Sequence, residues 1–243
     1  MKIIFAPAKE MRIDKLSTDK PLYSATTQAI IQTLQAQSDD QLKKLHKISD
    51  QQVSQVKDYM RHLNMGPAYQ ALDLYNGLAF RQIDVDLADI AIASYLDQHF
   101  RILSALYGPV KATDPIRPYR LDFNTPLKVN GQNLRHLWGS DFNDFFEKGE
   151  TVLNLASQEF SVMLDQGRYH WIDFEFYEYD SNKADGLKKH STISKKGRGK
   201  MVAFLASNQI KNLTDIKKFD ADGYQFESNH SNDNKFVFVK RKR

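Results

Sequence analysis

Short apolar runs with strand character alternate with amphipathic helical patterns along the whole chain, and this order most constrains the fold. Residues 2–5 join β-branched and aromatic side chains and are stopped by Pro7, which is typical of a buried strand. Residues 151–156 repeat that pattern, and residues 168–179 alternate apolar with charged side chains, as in a strand with one wet face. Because no repeat or low-complexity linker interrupts this irregular order, we predict one compact α/β domain (mixed α+β) over residues 1–243, with a central mixed sheet and several helices.

Three amphipathic helices are predicted after Pro21. The second opens with the capping box Ser38-x-x-Gln41, and the third is capped by Asp50 and ends before Gly66. Their apolar faces consist of Ile30, Ile31 and Leu34, of Leu42, Leu45 and Ile48, and of Val53, Val56, Met60 and Leu63. We interpret this part of the chain as core and scaffold.

The middle of the chain is predicted as a strand followed by a helix. Residues 90–96 form a short run rich in small and β-branched side chains, which favours a strand. Asp97 is then placed to cap a helix that presents an apolar residue at every third position up to Leu106 and ends at Gly108. With its tight turn this helix is similar to half of a helix-hairpin-helix, whose hairpin amides contact a DNA phosphate. The match is incomplete, since Pro109 lacks a backbone N–H that such a cradle would use.

Composition narrows the class of protein. The chain has no cysteine, which excludes disulfides and a cysteine nucleophile and makes the cytoplasm the expected location. No window reaches the roughly 18 consecutive apolar residues of a membrane span. The net charge is +4, with basic residues clustered at 188–200 and in a tail at 240–243. Such clusters attract phosphates, although a solvated loop and a solvated tail would explain them equally well.

The segment Arg117-Pro-Tyr-Arg120 holds two guanidinium groups and one phenol in a stiff stretch of backbone. Preorganised arginines bind phosphate or carboxylate with two hydrogen bonds, and Tyr119 could stack on a base. The alternative is structural: Arg117 or Arg120 would pair with Asp114 or Asp122 in an internal network.

Further candidates follow two predicted elements. Lys9 lies just beyond the first strand, where ligands of α/β folds bind. A helix predicted over residues 198–210 would begin at Arg198-Gly-Lys200, so that free amides and side chains together would hold a phosphate. The candidate phosphate-binding set is Lys9, Tyr107, Gly108, Arg117, Tyr119, Arg120, Lys196, Arg198, Gly199 and Lys200. Lys9 could also be an ordinary surface lysine, and the region 188–200 an ordinary loop.

Catalytic candidates are fewer. Asn154, Ser157 and Glu159 follow a buried strand and would orient a ligand or water, together with Asp122, although Ser157 would also serve simply as a helix cap. Glu159 beside cations would suit a general acid or base acting on a nucleotide. The seven histidines form no His-x-x-x-His pair, and the sequence contains no Walker loop, Gly-x-Gly-x-x-Gly or Gly-x-Ser-x-Gly motif. We therefore expect no metal site built from local spacing and no cofactor.

Seven stretches, in order, resemble the YaaA family of bacterial peroxide-stress proteins. They are "FAPAKEM", "LYNGL", "RILSALYGPVKATDPIRPYRLDF", "LRHLWGSDFND", "VLNLASQEF", "KKGRGKMVAFL" and "FDADGYQFESNHSNDNKFVFVKR". The chain departs from the family pattern at Ala6, where a serine is usual, at Lys111-Ala112, where Arg-Pro is common, and at residues 71–74 before Tyr75. The chain therefore lacks a hydroxyl at position 6 and a glycine in the segment just before Tyr75.

The resemblance implies a cytoplasmic protein linked to hydrogen-peroxide resistance, with one compact domain, a basic cleft and binding of nucleic acid. It supplies no agreed reaction. Our leading hypothesis is a non-enzymatic stress protein that binds double-stranded DNA or another phosphate-bearing partner through the basic cleft. One alternative is an enzyme acting on a nucleotide or nucleic acid with Glu159 as acid or base, and another is limitation of intracellular iron. The oligomeric state stays open.

Overall fold

The computed structural model describes residues 1–183 and 186–241. Its helices are α1 (Ala25–Gln35), α2 (Asp39–His46), α3 (Asp50–His62), α4 (Ala71–Leu74), α5 (Ile90–His99), α6 (Leu134–Asp144), α7 (Gln158–Ser161), α8 (Ser191–Ser207) and α9 (Leu213–Ile216). Its strands are β1 (Lys2–Phe5), β2 (Tyr69–Gln70), β3 (Phe100–Ser104), β4 (Gly108–Val110), β5 (Pro115–Ile116), β6 (Lys128–Val129), β7 (Gln132–Asn133), β8 (Thr151–Leu155), β9 (His170–Tyr179), β10 (Leu187–Lys188), β11 (Tyr224–Phe226) and β12 (Lys235–Lys240). The predicted mixed α/β fold with a central mixed sheet is confirmed.

The central sheet has the strand order β11-β12-β9-β8-β1-β3-β4, with β10 paired to β9. The five inner strands are parallel, whereas β4, β10 and β11 are antiparallel to their neighbours. In chain order the parallel strands are arranged 2-1-3-4-5, an order known from doubly wound α/β sheets. After β1 the chain forms β3 on one side of β1, and the later strands β8, β9 and β12 are added on the other side. The direction in which strands are added therefore reverses between β1 and β8. Ligands of such sheets bind in the crevice outside the carboxyl ends of the strands at this point.

The helical third is confirmed, and its caps are made locally. Ser38 and Gln41 form the predicted capping box at the start of α2. The cap of α3 is Ser49 rather than Asp50, because Ser49 forms its own capping box with Gln52. The apolar faces of α1 and α3 pack against each other and are buried. This matches the predicted role of the segment as core and scaffold.

The prediction for residues 90–108 is wrong. A strand followed by a helix was predicted, whereas the structure has a helix followed by a strand. Residues 90–99 form α5, which Asp89 caps by accepting hydrogen bonds from the amides of Ala91 and Ile92. Residues 100–104 form β3, and every one of them is buried. In a run this short, an apolar spacing of three fits a helix, but it occurs equally in a strand that is buried on both faces, so it cannot tell the two apart.

The helix-hairpin-helix prediction is therefore wrong as well. Gly108 is the first residue of β4, which pairs with β3 in the antiparallel direction, so that Ser104 faces Gly108 and Ile102 faces Val110. Gly108 has a φ of +79°, and the Trp138 ring lies where its side chain would start, so a turn and close packing explain the glycine. No helical hairpin is formed around it to hold a phosphate.

The C-terminal end of the described chain is tied to the sheet. Lys240, in the basic tail predicted at 240–243, is the last residue of β12 and lies 3.6 Å from an Asp222 carboxylate oxygen. Arg241 pairs with Glu227 at 2.8 Å. Residues 242–243 of that tail lie outside the described residues.

Within the described ranges, no helix combines the length and apolar character needed to cross a membrane.

Candidate functional site

A cavity of about 410 Å³ lies at the carboxyl ends of β1 and β8, where the order of the parallel strands reverses. Its apolar wall includes Phe5, Leu78, Phe80, Leu121, Leu155 and Phe160. Its charged residues are Lys9, Glu10, Arg120, Asp122, Glu159, Lys195 and Arg198. The volume is within the range of small-molecule sites, which also combine an apolar wall with a few convergent polar groups.

The loop that carries Lys9 is held against the segment after α4. Pro7 ends β1, and the Asn76 amide donates to the Glu10 carbonyl at 2.9 Å. A side chain at Gly77 would start 2.7 Å from the Ala8 methyl group, so only glycine lets the two segments approach this closely. The "YNGL" stretch thereby fixes the direction in which the Lys9 backbone leaves the sheet.

Lys9 and Asp122 form an ion pair of 2.7 Å in this cavity. Asp122 also accepts hydrogen bonds from the Thr125 hydroxyl and the Asn124 amide, each at 3.1 Å. Burial alone would raise the pKa of Asp122, but Lys9 and these two donors hold it below its ordinary value. Asp122 is therefore kept ionised.

The pKa of Glu159 is shifted in the opposite direction to that of Asp122. It lies on α7, one residue beyond the start of that helix, and its Oε1 atom is buried without a hydrogen-bond partner among the described residues. Burial raises the pKa of Glu159, and the charge of Asp122 raises it further, against the opposing effects of Lys9, a hydrogen bond from the Asn124 backbone and Arg135. The cavity thus holds two carboxyl groups whose environments move their pKa values apart, an arrangement that separates an acid from an ionised base.

Arg120 and Arg198 bring positive charge that no described carboxylate neutralises by an ion pair. The Nε atom of Arg198 is buried and has no hydrogen-bond partner in the described part of the chain. Burial lowers the pKa of Arg198, and Asp173 counteracts this. A buried donor left without a partner is unfavourable, so an anion entering the cavity would relieve it.

Two glycines bring Arg198 to the cavity. A side chain at Gly197 would overlap the Phe176 ring of β9, and one at Gly199 would overlap the carbonyl oxygen of Ala79. The sequence Gly-Arg-Gly therefore allows α8 to pack closely against both β9 and the segment 79–82, with Arg198 between the two glycines. Packing, rather than contact with phosphate, explains Gly199.

The prediction of a helix start at residues 196–200 is wrong. Helix α8 begins at Ser191, so the amides of these residues are engaged in the helix interior and are not free to bind a phosphate. Lys200 is turned away and pairs with Asp222 at 2.9 Å. Lys196 is exposed and outside the cavity wall, whereas the neighbouring Lys195, which sequence reasoning did not select, lines it.

Arg117 is a structural residue. Its guanidinium group is buried and donates to the carbonyls of Gly66 (2.6 Å) and Leu63 (2.9 Å) and to the Tyr23 hydroxyl (2.8 Å). Tyr107 is bonded through its hydroxyl to the carbonyl and the amide of Arg117. Arg117 therefore belongs to an internal hydrogen-bond network, as in the alternative to phosphate binding. Its acceptors are backbone carbonyls and the Tyr23 hydroxyl rather than Asp114 or Asp122.

The remaining candidates surround the cavity at different distances. Tyr119 lines it, with its hydroxyl tied to those of Tyr75 (2.7 Å) and Ser104 (2.8 Å). Ser157 lines it as the residue that precedes α7, without a side-chain capping bond. Asn154 is engaged behind it, since its amide donates to Asp173 at 2.8 Å. Tyr119 is thus a wall rather than a free stacking platform.

His46 at the end of α2 is a further residue that sequence reasoning did not select. Burial lowers its pKa to about 4, with Arg120 and Lys9 acting in the same direction and Asp122 against them. Its Nε2 atom is buried and has no hydrogen-bond partner among the described residues. Nothing in its local sequence distinguishes it from the other six histidines, because only the fold brings α2 to the cations of the cavity.

The fold and the cavity define a doubly wound α/β protein with a site of mixed charge at the switch point of its sheet. A profile described as "Peroxide stress protein YaaA" matches residues 1–230. The chain is 36% identical over 245 residues to a UPF0246 protein of Streptococcus gordonii, with 99% of each chain covered. It is 34% identical over 248 residues to a UPF0246 protein of Finegoldia magna, covering 99% of this chain and 98% of the relative.

A UPF0246 protein of Streptococcus pneumoniae is also similar, with 33% identity over 243 residues and 99% of each chain covered. The chain belongs to the YaaA (UPF0246) family of peroxide stress proteins. The resemblance drawn from seven short stretches is thereby confirmed, and with it a general role in protection against peroxide stress.

Proposed function

We propose that this protein exerts its protective role by binding a small phosphorylated ligand of nucleotide size in the cavity at the switch point. The observation that carries the proposal is the convergence of Arg120, Arg198 and Lys195 on one cavity, without an ion pair to any described carboxylate. Arginine forks match phosphate oxygens geometrically, and charge-assisted hydrogen bonds of this kind are about twice as strong as neutral ones.

The shape of the cavity favours a ligand with a flat apolar part. Phe5, Phe80 and Phe160 contribute rings to the wall, and Phe5 and Phe80 meet edge to face with ring centroids 5.2 Å apart. A volume of about 410 Å³ accommodates a single nucleotide and is too small for a duplex. The combination of cations and aromatic wall therefore suits a nucleotide better than inorganic phosphate or a long polymer.

Isothermal titration calorimetry with the common ribo- and deoxyribonucleoside 5′-monophosphates tests the proposal, with inorganic phosphate as the comparison. We expect saturable binding of a nucleotide, weakened about 10-fold or more by Arg120→Gln, because a charge-assisted hydrogen bond is lost. Arg61→Gln is the matched control, since Arg61 is exposed on α3 and outside the cavity wall. Absence of nucleotide binding to the native protein, or equal loss in both variants, would contradict the proposal.

A second candidate, binding of double-stranded DNA, rests on a different observation. Three exposed lysines lie at or next to the cavity: Lys9 and Lys195 line it, and Lys196 follows Lys195 in the chain. The chain as a whole has a net charge of +4. Phosphate contacts by these lysines would give an affinity that falls steeply with salt and depends little on sequence. Fluorescence anisotropy of a labelled duplex across a salt series separates the two candidates, because Lys196→Gln, outside the cavity wall, should flatten the salt slope while leaving nucleotide binding within a few-fold.

Limitation of iron by direct sequestration receives no support from the side chains. Residues 1–183 and 186–241 contain no group of three or more histidine, aspartate or glutamate side chains placed to hold a metal ion. Retention of stoichiometric iron after dialysis is the measurement that would restore this alternative.

A further inference from the structure

Of the three carboxyl groups that line the cavity, Glu10 pairs with Arg81 at 2.8 Å, and the other two, Asp122 and Glu159, differ in ways that matter for chemistry. Asp122 is surrounded by donors: the Lys9 ammonium at 2.7 Å, the Thr125 hydroxyl at 3.1 Å and the Asn124 amide at 3.1 Å. Glu159 has a buried oxygen without a partner in the described chain. The first group is fixed as an anion, and the second is free to carry a proton and hand it to a ligand.

The surroundings explain this division. Both residues line the same cavity. Asp122 follows the Pro-stiffened segment, Arg117-Pro-Tyr-Arg120, and Glu159 follows β8. Burial and the charge of Asp122 favour the protonated form of Glu159, whereas Lys9, a hydrogen bond from the Asn124 backbone and Arg135 oppose it. Lys9 is already engaged by Asp122, and Arg135 donates to Asn124 at 2.7 Å, so neither is committed to Glu159 by an ion pair.

From this geometry, and resting on the nucleotide-binding function proposed above, we propose that the cavity hydrolyses the N-glycosidic bond of a nucleotide, with Glu159 as proton donor and Asp122 as the ionised partner. A protonated carboxyl group and an ionised one on the same site are the pair that cleaves acetals and related glycosidic bonds. Arg120 and Arg198 would hold the phosphate, and the aromatic wall would take the base.

The step balances with water as the only co-reactant. The bond between the anomeric carbon and the base nitrogen breaks, its electron pair stays on the nitrogen, and that nitrogen takes the proton of Glu159. The Asp122 carboxylate stabilises the positive charge that develops on the sugar. Water then forms a bond to the anomeric carbon and returns a proton to the Glu159 carboxylate, so the products are a free base and a sugar phosphate, with no external oxidant or reductant.

The test is chromatographic measurement of free base after incubation of the whole protein with the nucleoside 5′-monophosphates used in the binding experiment. We expect base release by the native protein and a decrease in kcat of about 100-fold or more in Glu159→Gln, with binding retained. Since the acid must be protonated, kcat should fall as the pH rises through the pKa of Glu159. Glu147→Gln, an exposed glutamate outside the cavity wall, should behave like the native protein.

The outcomes separate this inference from the function on which it rests. If nucleotides bind and no base is released, hydrolysis is refuted and the binding function stands. If base is released equally by Glu159→Gln, the assignment of the proton donor is wrong. If no nucleotide binds, both proposals fall. Circular dichroism of each variant shows whether a loss reflects unfolding, and Glu159→Asp, which keeps the carboxyl group, should retain more activity than Glu159→Gln.

Discussion

Lys9 and Asp122 form an ion pair of 2.7 Å that joins the loop after β1 to the end of the Pro-stiffened segment. The ammonium group lowers the pKa of Asp122 against the effect of burial, and it also lowers that of Glu159. We expect Lys9→Met to raise the pKa of both carboxyl groups, which a carbon-detected NMR titration can follow. Lys15→Met is the matched control, because Lys15 is similarly exposed (60% against 63%) and pairs with Asp73 outside the cavity wall.

The same variant should change the acid stability of the fold. Because the pKa of Asp122 in the fold lies below its ordinary value, the carboxylate stabilises the protein above that ordinary value, and the contribution is lost as the pH falls through the folded pKa. Acidification lowers the free energy of unfolding in part because Asp122 becomes protonated. In Lys9→Met this contribution to the decrease should be smaller. An unchanged Asp122 titration in Lys9→Met would show that the hydrogen bonds from Thr125 and Asn124 dominate.

Arg117 and Arg120 should respond differently to removal, although only two residues separate them. Arg117 donates to two backbone carbonyls and to Tyr23, so Arg117→Met should lower the free energy of unfolding by about 2–4 kcal/mol. Arg120 has no ion pair with a described carboxylate, and Arg120→Gln should change stability by less than about 0.5 kcal/mol. Urea unfolding of both variants is the measurement, and equal destabilisation would contradict the separation of roles.

Gly199 should be far less replaceable than another helical glycine. A methyl group at Gly199 in α8 would meet the Ala79 carbonyl and the Gln82 side chain, whereas one at Gly139 in α6 has open space. We expect Gly199→Ala to destabilise the fold by about 1–3 kcal/mol and to weaken ligand binding by displacing Arg198. Gly139→Ala should be stabilising by up to about 1 kcal/mol, because alanine is the better helix former. Thermal unfolding would refute the argument if the two variants behaved alike.

His46 should remain neutral well below its ordinary titration range. Burial, assisted by Arg120, lowers its pKa to about 4. The unfolded chain binds a proton at this histidine as the pH falls below about 6.5 while the fold does not, so stability should decrease between about pH 6.5 and pH 4. An NMR titration of the His46 ring checks the pKa, and His46→Gln should lessen the loss of stability over that interval. A ring that titrates near 6.5 would show that α2 does not bury it.

Several features were determined by local sequence alone. The seven motif stretches identified the family, the strand–helix pattern identified a mixed α/β fold, and the capping box at Ser38 began α2 where predicted. Lys9 was placed correctly at the cavity, because a ligand site beyond the carboxyl end of a parallel strand is a property of the architecture. These predictions held because they depend on neighbours along the chain or on the fold class.

The tertiary structure decided the rest. All of residues 100–104 are buried in β3, so the apolar spacing of three between Phe100 and Leu103, which favours a helix, did not reveal the strand. Arg117 and Arg120 have the same side chain in the same motif, and only the position of the Leu63 and Gly66 carbonyls commits the first to the core. The cavity itself brings together the ends of β1 and β8, the Pro-stiffened segment and the middle of α8. Contacts between residues so distant in the chain depend on packing, whereas a sequence pattern reports only on near neighbours.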